Sequence, residues 1–399
     1  MAAQADDRAR VRVAVPDFGS LVVGVHWPSL PWGVEDVGAA LLGDEDVADE
    51  LAAEDALSSG QLIDLYAKRL SDTPTTRAAL ATILSAAEDP DIHSQLLRGK
   101  LTQDLLTAYD SLFEQAGLGL EGALGAPGSD QATFDPAASL NEWLADAPPD
   151  SESEGLTLGW GDGLMDRLTK VKKALLGPVR QLSFWTMKKR ARTVGESGVH
   201  DLLRALQSAA PEARLHLMGH SFGCIVVSSA IAGPTGPSGA PGLGLSRAVD
   251  SVFLVQGAMS LWSYAADVPF PPYTSGYFRP LLEAPAQIRG PVVTTLSAFD
   301  TAVRKFYPLG AQAGDDLLLG DELPKFGGIG VFGIQGAEAV DVDVLPTSGQ
   351  YNLAPGQVYN VDASSVISNG SGASGAHSDI CHPEIAHLMW EAVMTTLRR

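Results

Sequence analysis

The pentapeptide Gly219-His220-Ser221-Phe222-Gly223 holds the residue types that nucleophilic catalysis requires. A serine with glycines two positions to either side is typical of a sharp turn from a strand into a helix, where side chains at the glycine positions would collide. Such a turn presents the hydroxyl of Ser221 at a helix N-terminus, whose amides favour negative charge. The spacing therefore predicts Ser221 as a nucleophile and the Phe222 amide as an oxyanion donor. An ordinary turn that contains a serine is the alternative. In a catalytic turn of this kind His220 is expected to point away from the site.

A serine nucleophile needs a general base, for which histidine is the usual residue. Where this motif is catalytic, an acid and then the base follow the serine along the chain, and the histidines that do so are His377, His382 and His387. His377 lies in a glycine- and serine-rich stretch, residues 370–379, behind the last predicted strand, and this position favours it as the base. His382 is expected to be a cap or loop residue before the final helix, and His387 a packed structural residue within it.

The acid that orients the base is expected just past the C-terminal end of a parallel strand, since that end lies on the same sheet edge as the nucleophile. Asp300 meets this condition, because it follows the predicted strand at residues 291–296. Its carboxylate would hold the imidazole in one tautomer and stabilise the imidazolium. An N-cap for the segment that follows is an alternative role for Asp300. The competing carboxylates downstream are Asp341, Asp343, Asp362 and Asp379.

Short apolar runs that alternate with stretches of helical periodicity must position these residues. Strands are predicted at residues 21–25, 214–218, 251–255, 291–296 and 357–361. Helices are predicted at residues 61–70, 75–87, 101–115, 199–206, 224–231 and 383–397. The alternation predicts an α/β protein with a mostly parallel sheet. We expect residues 1–32 to begin the α/β core, residues 33–160 to form a helical insertion or cap, and residues 161–399 to complete the core and carry the catalytic residues.

The composition excludes several partners. A net charge of −21 and an isoelectric point near 4.6 argue against nucleic acid or an anionic membrane surface. No run approaches the roughly 18 apolar residues of a membrane helix, and the N-terminus lacks the apolar core of a signal peptide, so a soluble cytoplasmic protein is expected.

The two cysteines, Cys224 and Cys381, do not define a disulfide framework. No metal-ligand spacing is visible, and we expect neither a metal nor an organic cofactor.

Charge is distributed unevenly along the chain. Ten acidic residues and no basic ones lie between Glu35 and Asp64, whereas eight basic residues and no acidic ones lie between Lys170 and Arg192. We expect solvated helix faces that partly pair with each other. A docking surface or steering of a charged substrate is the alternative.

Several segments of the chain resemble a family of bacterial α/β-hydrolases related to serine esterases. The resemblance rests on residues 184–195, Phe-Trp-Thr-Met-Lys-Lys-Arg-Ala-Arg-Thr-Val-Gly, and on residues 216–223, which contain the serine motif. Shorter segments that agree are Trp27-Pro28-Ser29, Gly290-Pro291-Val292, Asp300-Thr-Ala-Val303, Phe326-Gly-Gly-Ile-Gly330 and Ala376-His-Ser-Asp-Ile380. The resemblance covers most of the chain from residue 21 and is weak through the helical insertion. It implies an α/β-hydrolase fold and matches Ser221, Asp300 and His377 to a catalytic triad.

One element of that fold has no counterpart in the sequence. Such hydrolases begin with a strand that ends in His-Gly, whose loop supplies the second oxyanion donor, and no such motif precedes residue 21. Three explanations stay open: a true N-terminus upstream of Met1, a replacement strand at residues 12–15, or a strand at residues 21–25 beside the nucleophile strand. In the third case the amide of Trp27 would be the donor, since Pro28 has no N–H. An incomplete oxyanion hole would reduce the rate by about two to three orders of magnitude.

We therefore expect a serine hydrolase that cleaves a small-molecule ester or related acyl substrate through an acyl-enzyme. A serine peptidase or acyltransferase with the same triad is an alternative within enzymes. A non-catalytic binding module that keeps the hydrolase fold is the alternative outside them. The aromatic loop at residues 262–278 is a candidate wall of an acyl pocket, with ordinary packing beneath a loop as the other explanation.

Overall fold

Five parallel strands form the sheet on which the predicted site residues lie. The structure, a computed structural model, describes residues 5–27, 57–89, 92, 95–96, 100–118, 134–145, 162–236, 239–269, 274–306, 323–324, 327–370 and 375–397. The strands are β1 (His216–His220), β2 (Ser251–Val255), β3 (Val292–Leu296), β4 (Val340–Asp343) and β5 (Val358–Asp362), in the order β1-β2-β3-β5-β4 across the sheet. Four predicted strands are thereby confirmed, shifted by at most two residues. The sequence pattern does not predict β4, whose residues are largely exposed at the sheet edge.

The strand register brings one end of the sheet together. His220 pairs with Val255 at the ends of β1 and β2, and Leu296 pairs with Asp362 at the ends of β3 and β5. Because all pairs are parallel, the residues that directly follow these strands emerge along one edge. This edge is where the sequence places the nucleophile and its partners.

Helices pack on the sheet and on one another. They are α1 (Ala5–Ala14), α2 (Ser59–Arg69), α3 (Pro74–Ala87), α4 (Gln103–Gln115), α5 (Pro136–Ala145), α6 (Asp162–Val194), α7 (His200–Ala209), α8 (Gly223–Ala232), α9 (Ile329–Phe332) and α10 (Pro383–Leu397). Local sequence explains where several begin, since the side chains of Ser58, Thr73 and Thr102 cap α2, α3 and α4. The predicted helices that correspond to α2, α3, α4, α7, α8 and α10 are confirmed within a few residues.

Helix α6 joins the helical part of the chain to the sheet. Helices α2 to α5 all contact α6, which in turn contacts α8, the helix behind the serine motif. Two basic residues of α6, Arg180 and Lys188, depart from the solvated face that we expected, because they are almost fully buried, whereas Lys173 is exposed. Arg190 and Lys189 instead donate to backbone carbonyls at the C-terminal ends of α2 and α4, where positive charge is favourable. Although α6 has 33 residues, no helix of the described chain is long and apolar enough to cross a membrane.

Two expectations for the N-terminal region are wrong. Residues 12–14 belong to α1 and not to a replacement strand. Residues 21–25 join no strand, and Leu21 and Val22 are 85% and 76% exposed. A β-branched apolar run becomes a buried strand only where a partner edge receives it, and the pattern alone does not specify that partner. Within the described part of the chain, β1 consequently has a neighbouring strand on one side only.

Candidate active site

The turn at Ser221 has the strained geometry that the glycine spacing predicts. Ser221 has a φ of 55°, a left-handed conformation that non-glycine residues rarely adopt. Its N–H donates to the carbonyl of Val255 at 3.1 Å, and its carbonyl accepts from the N–H of Ala258 at 3.2 Å. These two bonds fasten the turn to the end of β2, so the surrounding structure enforces the strain.

The two glycines of the motif are not equivalent. A Cβ on Gly219 would lie 2.4 Å from the carbonyl oxygen of Gly223 and 2.7 Å from the nitrogen of Cys224. A Cβ on Gly223 would meet no atom within 4 Å. The expected collision therefore holds for Gly219 and is wrong for Gly223, because Gly223 opens helix α8 with its Cβ direction facing open space.

Phe222 lies between Ser221 and the first residue of α8, with its side chain packed on Phe184 at a ring-centroid distance of 4.9 Å. Among the described residues, its N–H has no hydrogen-bond acceptor. A free amide at a helix N-terminus is suited to an oxyanion. The amide of Trp27 is the predicted second oxyanion donor on the condition that residues 21–25 form a strand beside the nucleophile strand. Residues 21–25 form no strand, so that condition is not met. The side chain of Trp27 packs on the main hydrophobic core.

The side chains of Ser221, His377 and Asp300 form one chain of hydrogen bonds. The Oγ of Ser221 lies 2.8 Å from Nε2 of His377, and Nδ1 of His377 lies 2.8 Å from Oδ2 of Asp300. An ionised carboxylate can only accept, so Nδ1 carries the imidazole proton and Nε2 offers a lone pair to the serine hydroxyl. The structure thus brings together the three residues that the sequence nominates as nucleophile, base and acid.

Asp300 is fully buried and has a donor for each carboxylate oxygen. Oδ2 accepts from His377 and, at 2.9 Å, from Nε2 of Gln256, while Oδ1 accepts from the N–H of Val303 at 2.9 Å. The bond from Val303 is that of a cap at the start of the following helical turn. Asp300 therefore fills the N-cap role as well as contacting His377, and the two roles do not compete.

The loops that carry Asp300 and His377 are joined directly. Asp300 forms an antiparallel bridge with Gly375, and the N–H of Ala376 donates to the carbonyl of Phe299 at 2.9 Å. Gly375 has a φ of 55°, and a Cβ there would lie 2.4 Å from that same carbonyl oxygen. The close approach of the two loops thus requires glycine at this position.

Two further polar residues contact the site, and sequence reasoning misses both. Gln256 is fully buried directly after β2 and donates to Asp300. His220 does not point away as expected, because its Nε2 lies 3.0 Å from the carbonyl oxygen of His377. Burial lowers the pKa of His220 to about 4, with a smaller contribution from the neighbouring His377. One sequence signal points to Gln256, because it is a polar residue that directly follows a buried strand. No sequence signal identifies the contact of His220 with His377.

The competing residues have other partners. His382 pairs with Asp379 at 2.8 Å, and the buried His387 pairs with Asp7 of α1 at 2.9 Å. Asp341 accepts from the side chain of Asn360. The carboxylate of Asp362 accepts from the amide of the residue two positions later, and no described contact joins Asp343 to a histidine.

The structure describes part of the aromatic loop at residues 262–278. Residues 270–273 lie outside the described residues. Tyr264 and Phe278 are fully buried and belong to the main hydrophobic core, and the hydroxyl of Tyr264 pairs with Ser228 of α8 at 2.7 Å. For these two side chains the packing explanation holds.

The geometry at this sheet edge can move a proton from a hydroxyl to an imidazole that a buried carboxylate orients. Within the described residues, no three His, Cys, Asp or Glu side chains are grouped as a metal site. Searches of protein-family models, of curated proteins and of solved structures find no match to this chain.

Proposed function

We propose that the chain is a serine hydrolase that cleaves an ester or related acyl substrate through an acyl-enzyme. The observation that supports this most is the unbroken hydrogen-bond chain from Asp300 through His377 to Ser221, with both distances at 2.8 Å. The left-handed backbone of Ser221 adds support, since such strain concentrates at functional turns. We also propose an α/β-hydrolase fold with a helical cap. The parallel sheet, the serine turn and the chain order of Ser221, Asp300 and His377 favour it.

In the first half of the reaction, Oγ of Ser221 bonds to the acyl carbon while its proton passes to Nε2 of His377. The carbonyl electron pair moves onto oxygen, which accepts a hydrogen bond from the Phe222 amide. The tetrahedral adduct then expels the leaving group, which takes the proton from His377. Asp300 stays ionised throughout and stabilises the imidazolium.

In the second half, a water molecule replaces the leaving group. His377 takes a proton from the water as the water oxygen attacks the acyl carbon of the ester on Ser221. Collapse of this adduct breaks the bond to Oγ, releases the carboxylic acid and returns the proton from His377 to Ser221. A peptidase would share these steps with an amine as the leaving group. An acyltransferase would share them with another nucleophile in place of water.

Hydrolysis of p-nitrophenyl acetate, butyrate and octanoate tests the proposal. We expect wild-type protein to release p-nitrophenol at least about 1,000-fold faster than Ser221→Ala from one or more of these esters, since loss of a nucleophile typically removes three or more orders of magnitude. Ser208→Ala, at an exposed position of α7, is the matched control and should retain the wild-type rate. Equal rates for folded wild type and Ser221→Ala on all three esters would reject the proposal.

A further inference from the structure

Two consecutive residues contact the same histidine. The hydroxyl of Ser221 reaches the ring of His377 at 2.8 Å, and Nε2 of His220 reaches its main-chain carbonyl at 3.0 Å. A carbonyl oxygen can only accept, so Nε2 of His220 carries the hydrogen. The strained turn thus holds the base through its ring and through its backbone.

The backbone of His377 has few other anchors. It follows Gly375 in a glycine-rich stretch, and the bond from Ala376 to Phe299 fastens only the residue before it. Among the described residues, His220 is the one donor to the carbonyl of His377. Loss of this donor would leave the imidazole oriented by the hydrogen bonds of its ring to Asp300 and Ser221.

Charge also favours histidine at position 220. The rings of His220 and His377 lie 5.0 Å apart, and the reaction places a positive charge on His377. The charge of His377 disfavours a second cation on His220, whereas the hydrogen bond to the His377 carbonyl and, less strongly, the charge of Asp300 favour one. Since burial lowers the pKa of His220 to about 4, it is a neutral donor near pH 7 and does not oppose the imidazolium.

We infer that His220 is a positioning residue, which holds His377 in line with Ser221 by donating a hydrogen bond from Nε2 to the His377 carbonyl. This inference rests on the proposed serine hydrolase function. It assigns His220 no contact with substrate and no proton transfer.

The test compares rates of reaction with a fluorophosphonate probe, which needs no identified substrate. His220→Phe keeps a planar ring without the donor, and His220→Gln places an amide N–H near the position of Nε2. We expect His220→Phe to react about 10- to 100-fold more slowly than wild type, since displacement of a catalytic group by about 1 Å costs as much. His220→Gln should recover to within about threefold, because it restores the donor. His216→Phe, on the same strand, is the matched control and should react like wild type.

Two outcomes of this comparison would overturn the inference. One is a wild-type rate for His220→Phe. The other is an equal loss of rate for folded His220→Phe and His220→Gln, which would show that the donated bond does not matter. Circular dichroism melting of each variant accompanies the rates and identifies any variant that does not fold.

A measurement on the wild type covers the case in which His220→Phe does not fold. Nitrogen-15 NMR of the histidine rings reports the tautomer directly. We expect His220 as the neutral Nε2–H tautomer from pH 6 to 8, and the Nδ1–H tautomer would overturn the inference. The NMR measurement requires no activity. Failure of the wild type to react with the probe would therefore reject the proposed function, while the NMR result would still test the bond between His220 and His377.

Discussion

Ser221 and Gln256 both adopt left-handed backbone conformations, with φ of 55° and 43°, at the ends of the adjacent strands β1 and β2. The side chain of Gln256 donates to Asp300 at 2.9 Å and to the carbonyl of Gly330 at 3.1 Å, and accepts from Thr295 at 3.0 Å. A strained non-glycine conformation persists only where its surroundings enforce it. The bonds of Gln256 do so, and they connect Asp300 to the strand beside that of Ser221.

Gln256→Met tests this connection. Methionine has a similar length and no donor, so Asp300 and Thr295 each lose a buried partner. We expect the free energy of unfolding to fall by about 1–3 kcal/mol. We also expect the rate of ester hydrolysis to fall by about tenfold or more, because Asp300 is less firmly placed. Urea denaturation and p-nitrophenyl ester kinetics provide the two measurements.

Gln357→Met is the matched control, since the Gln357 side chain bonds only to backbone carbonyls at the opposite end of β5. It should leave the hydrolysis rate unchanged. A rate for Gln256→Met equal to that of Gln357→Met would contradict a role for Gln256 in placing Asp300.

The two glycines of the motif make a paired prediction. Gly219→Ala places a Cβ 2.4 Å from the carbonyl oxygen of Gly223, so the turn must shift. Gly223→Ala meets no atom within 4 Å and lies in a helix, where alanine is favourable. We expect loss of ester hydrolysis and a lower melting temperature for Gly219→Ala only. Equal melting temperatures for the two variants would contradict the described turn.

Asp300→Asn tests the role of the acid. The amide keeps the shape of the carboxylate, but it accepts from Nδ1 of His377 only if its oxygen, and not its NH2 group, faces the imidazole. The neutral amide also cannot stabilise the imidazolium. We expect the maximal hydrolysis rate to fall by about three to four orders of magnitude, as for other triads of this kind. Asp362→Asn, at the exposed end of β5, should leave the rate unchanged. An equal rate for the two variants would move the acid elsewhere.

Two partly buried histidines, His216 and His220, predict how stability changes with pH. Burial lowers the pKa of His216 and of His220 to about 4, below the value near 6.5 of an unfolded chain. The unfolded state therefore binds more protons between these values, and the free energy of unfolding falls as the pH decreases from about 6.5 to 4. His216→Asn removes one titrating group and keeps an amide near Ser251, which pairs with Nδ1 of His216 at 2.7 Å.

Urea denaturation at several pH values measures this effect. We expect the slope of unfolding free energy against pH to be shallower for His216→Asn by up to about 1.4 kcal/mol per pH unit, the contribution of one proton. Identical slopes for the variant and the wild type would show that His216 titrates normally in the folded protein.

The sequence predicts the residues whose role follows from strand order. Ser221, Asp300 and His377 each follow a strand that the apolar pattern identifies, and parallel strands direct them to one edge. The pattern fails at residues 21–25, because apolar periodicity indicates burial without naming the neighbouring strand. It also fails to reveal the role of His220, since the bond that defines that role reaches a carbonyl 157 residues along the chain. Such a contact depends on the conformation of a glycine-rich loop, which no periodicity specifies.

In the proposed reaction Ser221 is the nucleophile and His377 activates it. Incubation with a fluorophosphonate probe, followed by intact mass measurement and peptide mapping, tests this assignment most directly. We predict one probe per wild-type chain, attached to Ser221, no reaction of Ser221→Ala, strongly slowed reaction of His377→Ala and a wild-type rate for His382→Ala. Folded wild-type protein that does not react, or that carries the probe on another residue, would contradict the assignment of Ser221 as the nucleophile.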